Sequence, residues 1–380
     1  MPPAAPFAPT KSAGDAAAPC VAGAAAQVAP RALGWWLLGS AASVFGMVVL
    51  GGYTRLTRSG LSMTDWRPQG SALPSGEAEW EAAFDRYKQF PEFQLTNSKM
   101  ALDEFKQIYF VEWAHRMAGR AVGVIYGVPL LAFALAGKVP RALAPRLALL
   151  FALGGSQGLV GWWMVRSGLE APAADLDGVP RVSPYRLATH LTMAFTIYSL
   201  LLATSLQVLW PRPHGPSAAL SAAARRALAS AALGARAVAA VVALTAFSGA
   251  FVAGMHAGYS YNTFPLMDGK LVPDGYWRLS PAHRNLFENV PAVQFDHRVL
   301  AMTTLGSVGA FWAYARSLRA LPPAARLASH GLLAGAGAQV ALGIATLLHA
   351  VPVELGTAHQ AGALSLFSIT LVLLHVLTAE

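Results

Sequence analysis

EWAHRMAGR, residues 112–120, returns as QFDHRVLAM, residues 294–302, with a His-Arg pair at matching positions. His115 and His297 lie 182 positions apart, and so do Gln157 in GSQGLVGWW and Gln339 in GAQVALGIA. One register therefore relates two segments of each half. Each half also opens its last apolar run with a histidine, His190 in LATHLTMAF and His359 in GTAHQAGAL. The chain reads as a duplication with one histidine on each of two helices per half.

Composition sets the class. Hydrophobic residues make up 55% of the 380 and charged residues 12%, with a mean hydropathy of +0.44, which is the balance of a polytopic membrane protein. Apolar stretches near the ~20 residues needed to cross a bilayer fall at 33–53, 113–136, 145–165, 187–210, 235–256, 296–315, 327–349 and 356–377. The expectation is an all-α integral membrane protein, its eight transmembrane helices forming two duplicated four-helix bundles. Residues 1–32 read as a disordered cytoplasmic tail, 33–210 as the N-terminal bundle, 211–234 as a cytoplasmic linker and 235–380 as the C-terminal bundle. The Pro/Ala-rich start resembles neither a cleaved secretory signal nor an Arg-rich transit peptide.

Orientation follows from charge. Lys138, Arg141 and Arg146 follow the second span, Arg212, Arg225, Arg226 and Arg236 the fourth, and Arg316, Arg319 and Arg326 the sixth, with no acid in these loops. The positive-inside rule places them and both termini in the cytoplasm. The net charge of +9 reflects this topology and carries no implication of nucleic-acid binding. His115, His190, His297 and His359 then lie at the outward ends of their helices. The lone cysteine, Cys20, excludes an internal disulfide and a cysteine zinc site.

Ionisable groups in apolar helices face a cavity or a partner. One reading of the four histidines is hydrogen bonding between helices. The other is two imidazole pairs that ligate haem iron from both sides, favoured by the matched positions in both halves. Gly119, Gly123, Gly356 and Gly362 would let a flat macrocycle approach the backbone. Arg116 and Arg298 offer cations for haem propionates or anchor the helices by snorkelling. At the same offset Glu112 aligns with Gln294, so only the first half has a carboxylate. Glu112 shares a helical face with His115 and either serves a bound substrate or is a helix-start acid favoured by the dipole. The asymmetry points to chemistry in the first half and a redox cofactor in the second.

GGYTRLTRSGLSMTDWRPQG from Gly51, PEFQLTNSKMALDEFKQIYFVEWAHRMAGR from Pro91 and the histidines of the later spans together resemble the haem A synthase family of cytochrome oxidase assembly. The resemblance covers residues 33–377. It implies oxidation of the C8 methyl of haem O to the formyl of haem A through successive hydroxylations. It implies that His297 and His359 ligate the iron of a haem b cofactor, that His115 and His190 meet the substrate haem iron, and that Glu112 is the catalytic glutamate. It also implies haem O synthase and oxidase assembly factors as partners and an unidentified electron acceptor. The missing transit signature makes a bacterial inner membrane the expectation, and the charge pattern places the haem sites near its periplasmic side. Residues 54–111 lack the cysteine pair of one branch of the family, so the chain resembles the cysteine-free proteobacterial and mitochondrial branch.

Trp66, Trp80, Tyr87 and Phe90 form a candidate lid over the first site, and YSYNTFPLMDGKLVPDGYW from Tyr259 a cover for the second. His256 and His349 read as interfacial hydrogen-bonding residues. His214, His283, His330 and His375 carry no assigned function. A di-haem electron carrier and a haem transporter or chaperone are the competing classes; the Glu112/Gln294 difference argues against a pure electron wire.

Overall fold

The computed structural model describes residues 29–170, 179–211 and 221–378. Most of the expected N-terminal tail lies outside them. Eleven α-helices run in the order α1 (Arg31–Leu56), α2 (Glu77–Tyr87), α3 (Pro91–Leu95), α4 (Leu102–Leu135), α5 (Ala144–Leu169), α6 (Pro184–Leu209), α7 (Ala222–Gly254), α8 (Asn285–Glu288), α9 (Val290–Ser317), α10 (Pro323–Leu348) and α11 (Val353–Leu377). Eight of these have 25 residues or more, and no strand occurs among the described residues. Seven are long and apolar enough to cross a membrane, which makes the chain an all-α integral membrane protein. The remaining long helix, α9, matches them in length but carries Asp296, His297 and Arg298 in its N-terminal part.

Helix starts follow local chemistry. Pro184, Pro323 and Pro91 occupy first turns, where the missing N–H is harmless and φ is preset. Glu104 accepts a bond from the Ala101 amide at 2.8 Å, and Ser221 Oγ accepts one from the Ala224 amide at 3.2 Å, each satisfying an otherwise orphaned donor. Helix α7 begins at Ala222, so the linker expected at 211–234 is helical from that residue onward. Helix α4 starts eleven residues before the apolar run expected at 113.

The long helices form two clusters. In the first half α1 packs on α4 and α6, and α5 on α6; in the second α7 packs on α9 and α11, and α10 on α9 and α11. Leu33, Leu37, Leu147, Ile197 and Leu201 form one core, and Leu228, Val308, Phe311, Leu332 and Leu373 the other. The halves meet along α1, α6, α7 and α11, where Leu364 of α11 joins the first core. Gln360 Nε2 donates to the Val48 carbonyl at 2.7 Å across this seam, and the Tyr198 and Ser368 hydroxyls bond at 2.6 Å.

Candidate functional site

Each of the four histidines has a glycine of a neighbouring helix behind its ring. A β-carbon placed on Gly51 would lie 3.1 Å from Cε1 of His115, one on Gly161 3.0 Å from His190, one on Gly249 3.2 Å from His297, and one on Gly343 2.8 Å from His359. Any side chain there would displace the imidazole, so glycine is what lets ring and backbone meet. Within each half the two histidines are electrostatic neighbours, His115 with His190 and His297 with His359. These backing glycines escape a reading of the sequence, which points instead to Gly119, Gly123, Gly356 and Gly362. Of those, Gly356 abuts Leu56 and Gly362 abuts Gln339, both roles in helix packing, while nothing approaches Gly123 within 4 Å.

The pairs differ in how their rings are held. Ser248 Oγ lies 2.7 Å from His297 Nδ1 and donates its own proton to the Thr245 carbonyl at 2.8 Å. It must therefore accept from Nδ1–H, which leaves the Nε2 lone pair of His297 available to a metal. Gln339 Nε2 donates to the His359 carbonyl at 2.8 Å and lies 3.1 Å from His359 Nδ1. Its counterpart Gln157 donates to the His190 carbonyl at 3.0 Å. The Nδ1 atoms of His115 and His190 are buried without a hydrogen-bond partner. Of the second pair the His297 ring is thus braced through Nδ1–H, whereas neither ring of the first pair is; the Gln339 amide N–H can only donate, and it anchors the His359 backbone.

Glu112, 2% exposed, is fully engaged. One carboxylate oxygen accepts from Ser62 Oγ and the Met63 amide, both at 2.7 Å, and the other from Arg116 Nη2 at 2.6 Å and Nε at 3.1 Å. Arg116 also donates to the Met63 and Asp65 carbonyls, each at 2.7 Å. In the second half Gln294 donates to the Ala257 and Ser260 carbonyls, and Arg298 to those of Tyr261 and Thr263 at 2.7 and 2.9 Å. Acid and amide do the same job with opposite polarity: the carboxylate takes N–H and O–H donors, the amide gives N–H to carbonyls. Arg116 and Arg298, expected at propionates, hold loop backbone.

The loop partners expose a second repeat. GGYTRLTRSGLSMTDW from Gly51 matches GAFVAGMHAGYSYNTF from Gly249 at a spacing of 198, pairing Gly60 with Gly258, Ser62 with Ser260 and Trp66 with Phe264. Arg58 and His256 also correspond, both in the left-handed region at φ 53° and 55°. A shift from 198 to 182 hides this match from a search at one fixed offset.

Trp66 stacks on Trp162 of α5 at 6.1 Å between ring centroids. The loop held by Arg116 on α4 therefore reaches α5 beside Gly161. Farther out, Phe84, Tyr87 and Phe105 pack as a separate small core. Buried Glu92 accepts from the Tyr87 hydroxyl at 3.0 Å, and burial pushes its carboxyl up to about 7. Phe90 precedes α3 as its cap residue. His349 Nδ1 sits 2.8 Å from the Ala345 carbonyl.

The donor set fits haem. Among the described residues no three metal-ligating side chains converge, whereas two imidazole pairs stand in four-helix settings with glycine behind every ring. That geometry suits axial ligation by two histidines.

The sequence profile described as cytochrome oxidase assembly protein, COX15-CtaA, matches residues 34–371. The chain is 48% identical over 351 residues to Heme A synthase COX15 of Arabidopsis thaliana, covering 92% of this chain and 76% of that protein. It is 46% identical over 340 residues to Heme A synthase of Parvibaculum lavamentivorans, covering 89% and 92%. With Heme A synthase COX15 of Homo sapiens it shares 44% identity over 343 residues, 90% and 82%. The repeated histidine helices and these matches together show that the chain belongs to the COX15-CtaA family of cytochrome oxidase assembly proteins.

Proposed function

We propose that the protein is a haem A synthase, oxidising the C8 methyl of haem O to the formyl of haem A. One observation carries the division of labour: Ser248 accepts from Nδ1–H of His297, whereas the Nδ1 atoms of His115 and His190 have no partner. Metal-ligating histidines are normally oriented through their second nitrogen. The braced His297 suits a resident haem b, and the unbraced pair a haem that must enter and leave.

When bound, a haem iron between two imidazoles supplies one-electron redox chemistry. The chain does the rest. His115 and His190 orient the substrate macrocycle with Gly51 and Gly161 behind them. Glu112, fixed by Arg116, Ser62 and Met63, puts a buried negative charge one helical turn from His115, where it stabilises positive charge developing on the substrate. The loop from Ser59 to Trp66, held on α4 and stacked on α5, screens that site from water. Both sites face the periplasmic side of a bacterial inner membrane, with the termini cytoplasmic and all eight long helices, α9 included, spanning it. Haem O synthase and oxidase assembly factors are the partners this role calls for, with a separate electron acceptor.

The test is extraction and mass analysis of haems copurifying with the chain expressed beside a haem O source. Haem B together with haem O, a hydroxylated intermediate or haem A is the expected result. Haem B alone would replace this reading with a di-haem electron carrier. His297→Ala and His359→Ala should lose the stable haem b spectrum, while Glu112→Ala should keep it and make little haem A; the reverse pattern would overturn the assignment of halves.

A further inference from the structure

A cavity of about 540 Å3 lies between α4 and the loop that joins α1 to α4. Trp113, Arg116 and Arg120, successive turns of one face of α4, form one wall, and Glu79, Ala82 and Arg86 of α2 stand in the other. The loop is tied to α4 along one edge, where Trp113 Nε1 donates to the Ser71 carbonyl at 2.8 Å and Arg120 Nε to the Pro68 carbonyl at 3.1 Å. At ~30 Å3 of liquid per molecule the space takes on the order of fifteen waters, and walls so rich in charged groups suit water better than an apolar guest.

The inner end of the cavity gives it a function. Ser62, Met63 and Arg116 all border it, and these are the residues that bond the carboxylate of Glu112. Glu112 itself, buried, stands one layer of residues behind them. The second half differs at both points. Its counterpart Gln294 gives N–H to the Ala257 and Ser260 carbonyls, and an amide does not take up and release protons near neutral pH. The wall built from α2 also belongs to a stretch that is longer in the first half, 46 positions from Trp66 to Glu112 against 30 from Phe264 to Gln294. The half with the acid is thus the half with the extra chain that walls the cavity.

We propose that this cavity is a water-filled route through which Glu112 exchanges protons with the aqueous phase on the side of the loop joining α1 to α4. The inference rests on the haem O reading of the first histidine pair. Turning a methyl into a formyl group removes hydrogen, which leaves as protons while the electrons go to the separate acceptor. A carboxylate near the substrate can take up such a proton, and it serves again once it has handed that proton on. In the release step the O–H bond of the Glu112 carboxyl breaks, water from the cavity takes the proton, and the carboxylate returns to its bonds with Arg116 and Met63; no electron moves. The hydroxyl of Ser62 is not itself required, because water can occupy its place when it is removed.

The first test needs no bound haem. In a Cys20→Ser background, which removes the sole native thiol, Ser62→Cys is treated with Ag+, an ion small enough to follow water, and the thiol left unreacted is counted by alkylation after denaturation. Silver should consume the thiol in the folded protein, and adding Ala72→Trp and Ala82→Trp, which fill the cavity from two sides, should largely protect it. In the otherwise native chain the same two tryptophans should lower conversion of haem O about tenfold or more, a loss within the range of general acid–base catalysis. They should leave the resident haem content unchanged and raise the ratio of turnover in H2O to that in D2O, a ratio that a merely distorted site would not move. Glu81→Trp, of equal bulk on an exposed face of α2, should alter none of these, and Ala82→Trp alone is read in the same way if the double variant does not fold. A Ser62→Cys thiol inert to silver, or a plugged protein with wild-type turnover and an unchanged isotope ratio, overturns the route. Wild type that converts no haem O while silver still reaches Ser62→Cys would instead remove the synthase reading and leave the water access of the cavity standing.

Discussion

A single methyl group on Gly343 would sit 2.8 Å from Cε1 of His359, closer than any stable packing allows. Gly343→Ala should therefore tilt or expel the imidazole at an overpacking cost of about 1–3 kcal/mol and lower the resident haem content of the purified protein. Gly249→Ala, with 3.2 Å to His297, should do so more mildly; haem-to-protein ratios from pyridine haemochrome spectra measure both, and equal occupancy with wild type would refute the role. At Glu112 the carboxylate has two separable duties, charge and loop fixation. Ser62→Ala removes one of the loop bonds and leaves the charge, so it should cost about 1 kcal/mol with product formation largely retained. Glu112→Gln strips the charge from a buried pair with Arg116, should cost about 3–5 kcal/mol in thermal melts, and should abolish product. The histidines and Glu112 are legible in the sequence because titratable side chains inside apolar runs demand explanation. Their glycine partners are not, since Gly51 or Gly343 is one among 35 glycines until tertiary structure sets it against a ring. The bonds from Arg116 to the Met63 and Asp65 carbonyls escape the sequence for a related reason, since no residue letter records a backbone partner.

Between residues 59 and 105 the loop joining α1 to α4 behaves as an element with its own small core. Glu92 is its sensitive point, facing Tyr87, Asn97 through Tyr87, Arg55, Arg58 and Glu112. Its folded-state value of about 7 stands above the ordinary 4.5, so between these values the folded loop holds a proton that the unfolded chain has lost. Loop stability then falls as pH rises from about 4.5 to about 7, by up to ~3 kcal/mol, and levels off above. Limited proteolysis within residues 77–97 should be faster at pH 8 than at pH 5, and Glu92→Gln should erase most of the difference; a pH-independent cleavage rate in wild type would contradict it. Helix existence is readable from hydropathy, but helix ends are not. The first turns of α4 carry Asp103, Glu104 and Lys106, and those of α7 carry Arg225 and Arg226, so both extend beyond the apolar stretch as polar helix held by caps and loop packing.

For the whole molecule, the duplication is visible in the sequence while the docking of its copies is not. The seam is built from small residues and backbone: Gly254 of α7 sits where a β-carbon would meet Pro184 Cα at 2.9 Å, and Gln360 reaches the Val48 carbonyl. Because backbone cannot swing aside, Gly254→Val should part the halves, lowering the melting temperature by several degrees and weakening electron exchange between the two proposed haem sites. Unchanged melting and flash-induced electron transfer would show that the seam tolerates the extra volume. The spacing of the repeats has a last consequence. The loops that follow α1 and α7 match at 198 and the histidine helices after them at 182, which confines a 16-residue excess to the stretch between Trp66 and Glu112 in the first half. That stretch holds α2 and α3. On the proposed division of labour, the mouth given extra chain is the one that must admit and release an occupant, and the shorter one is the one that retains it.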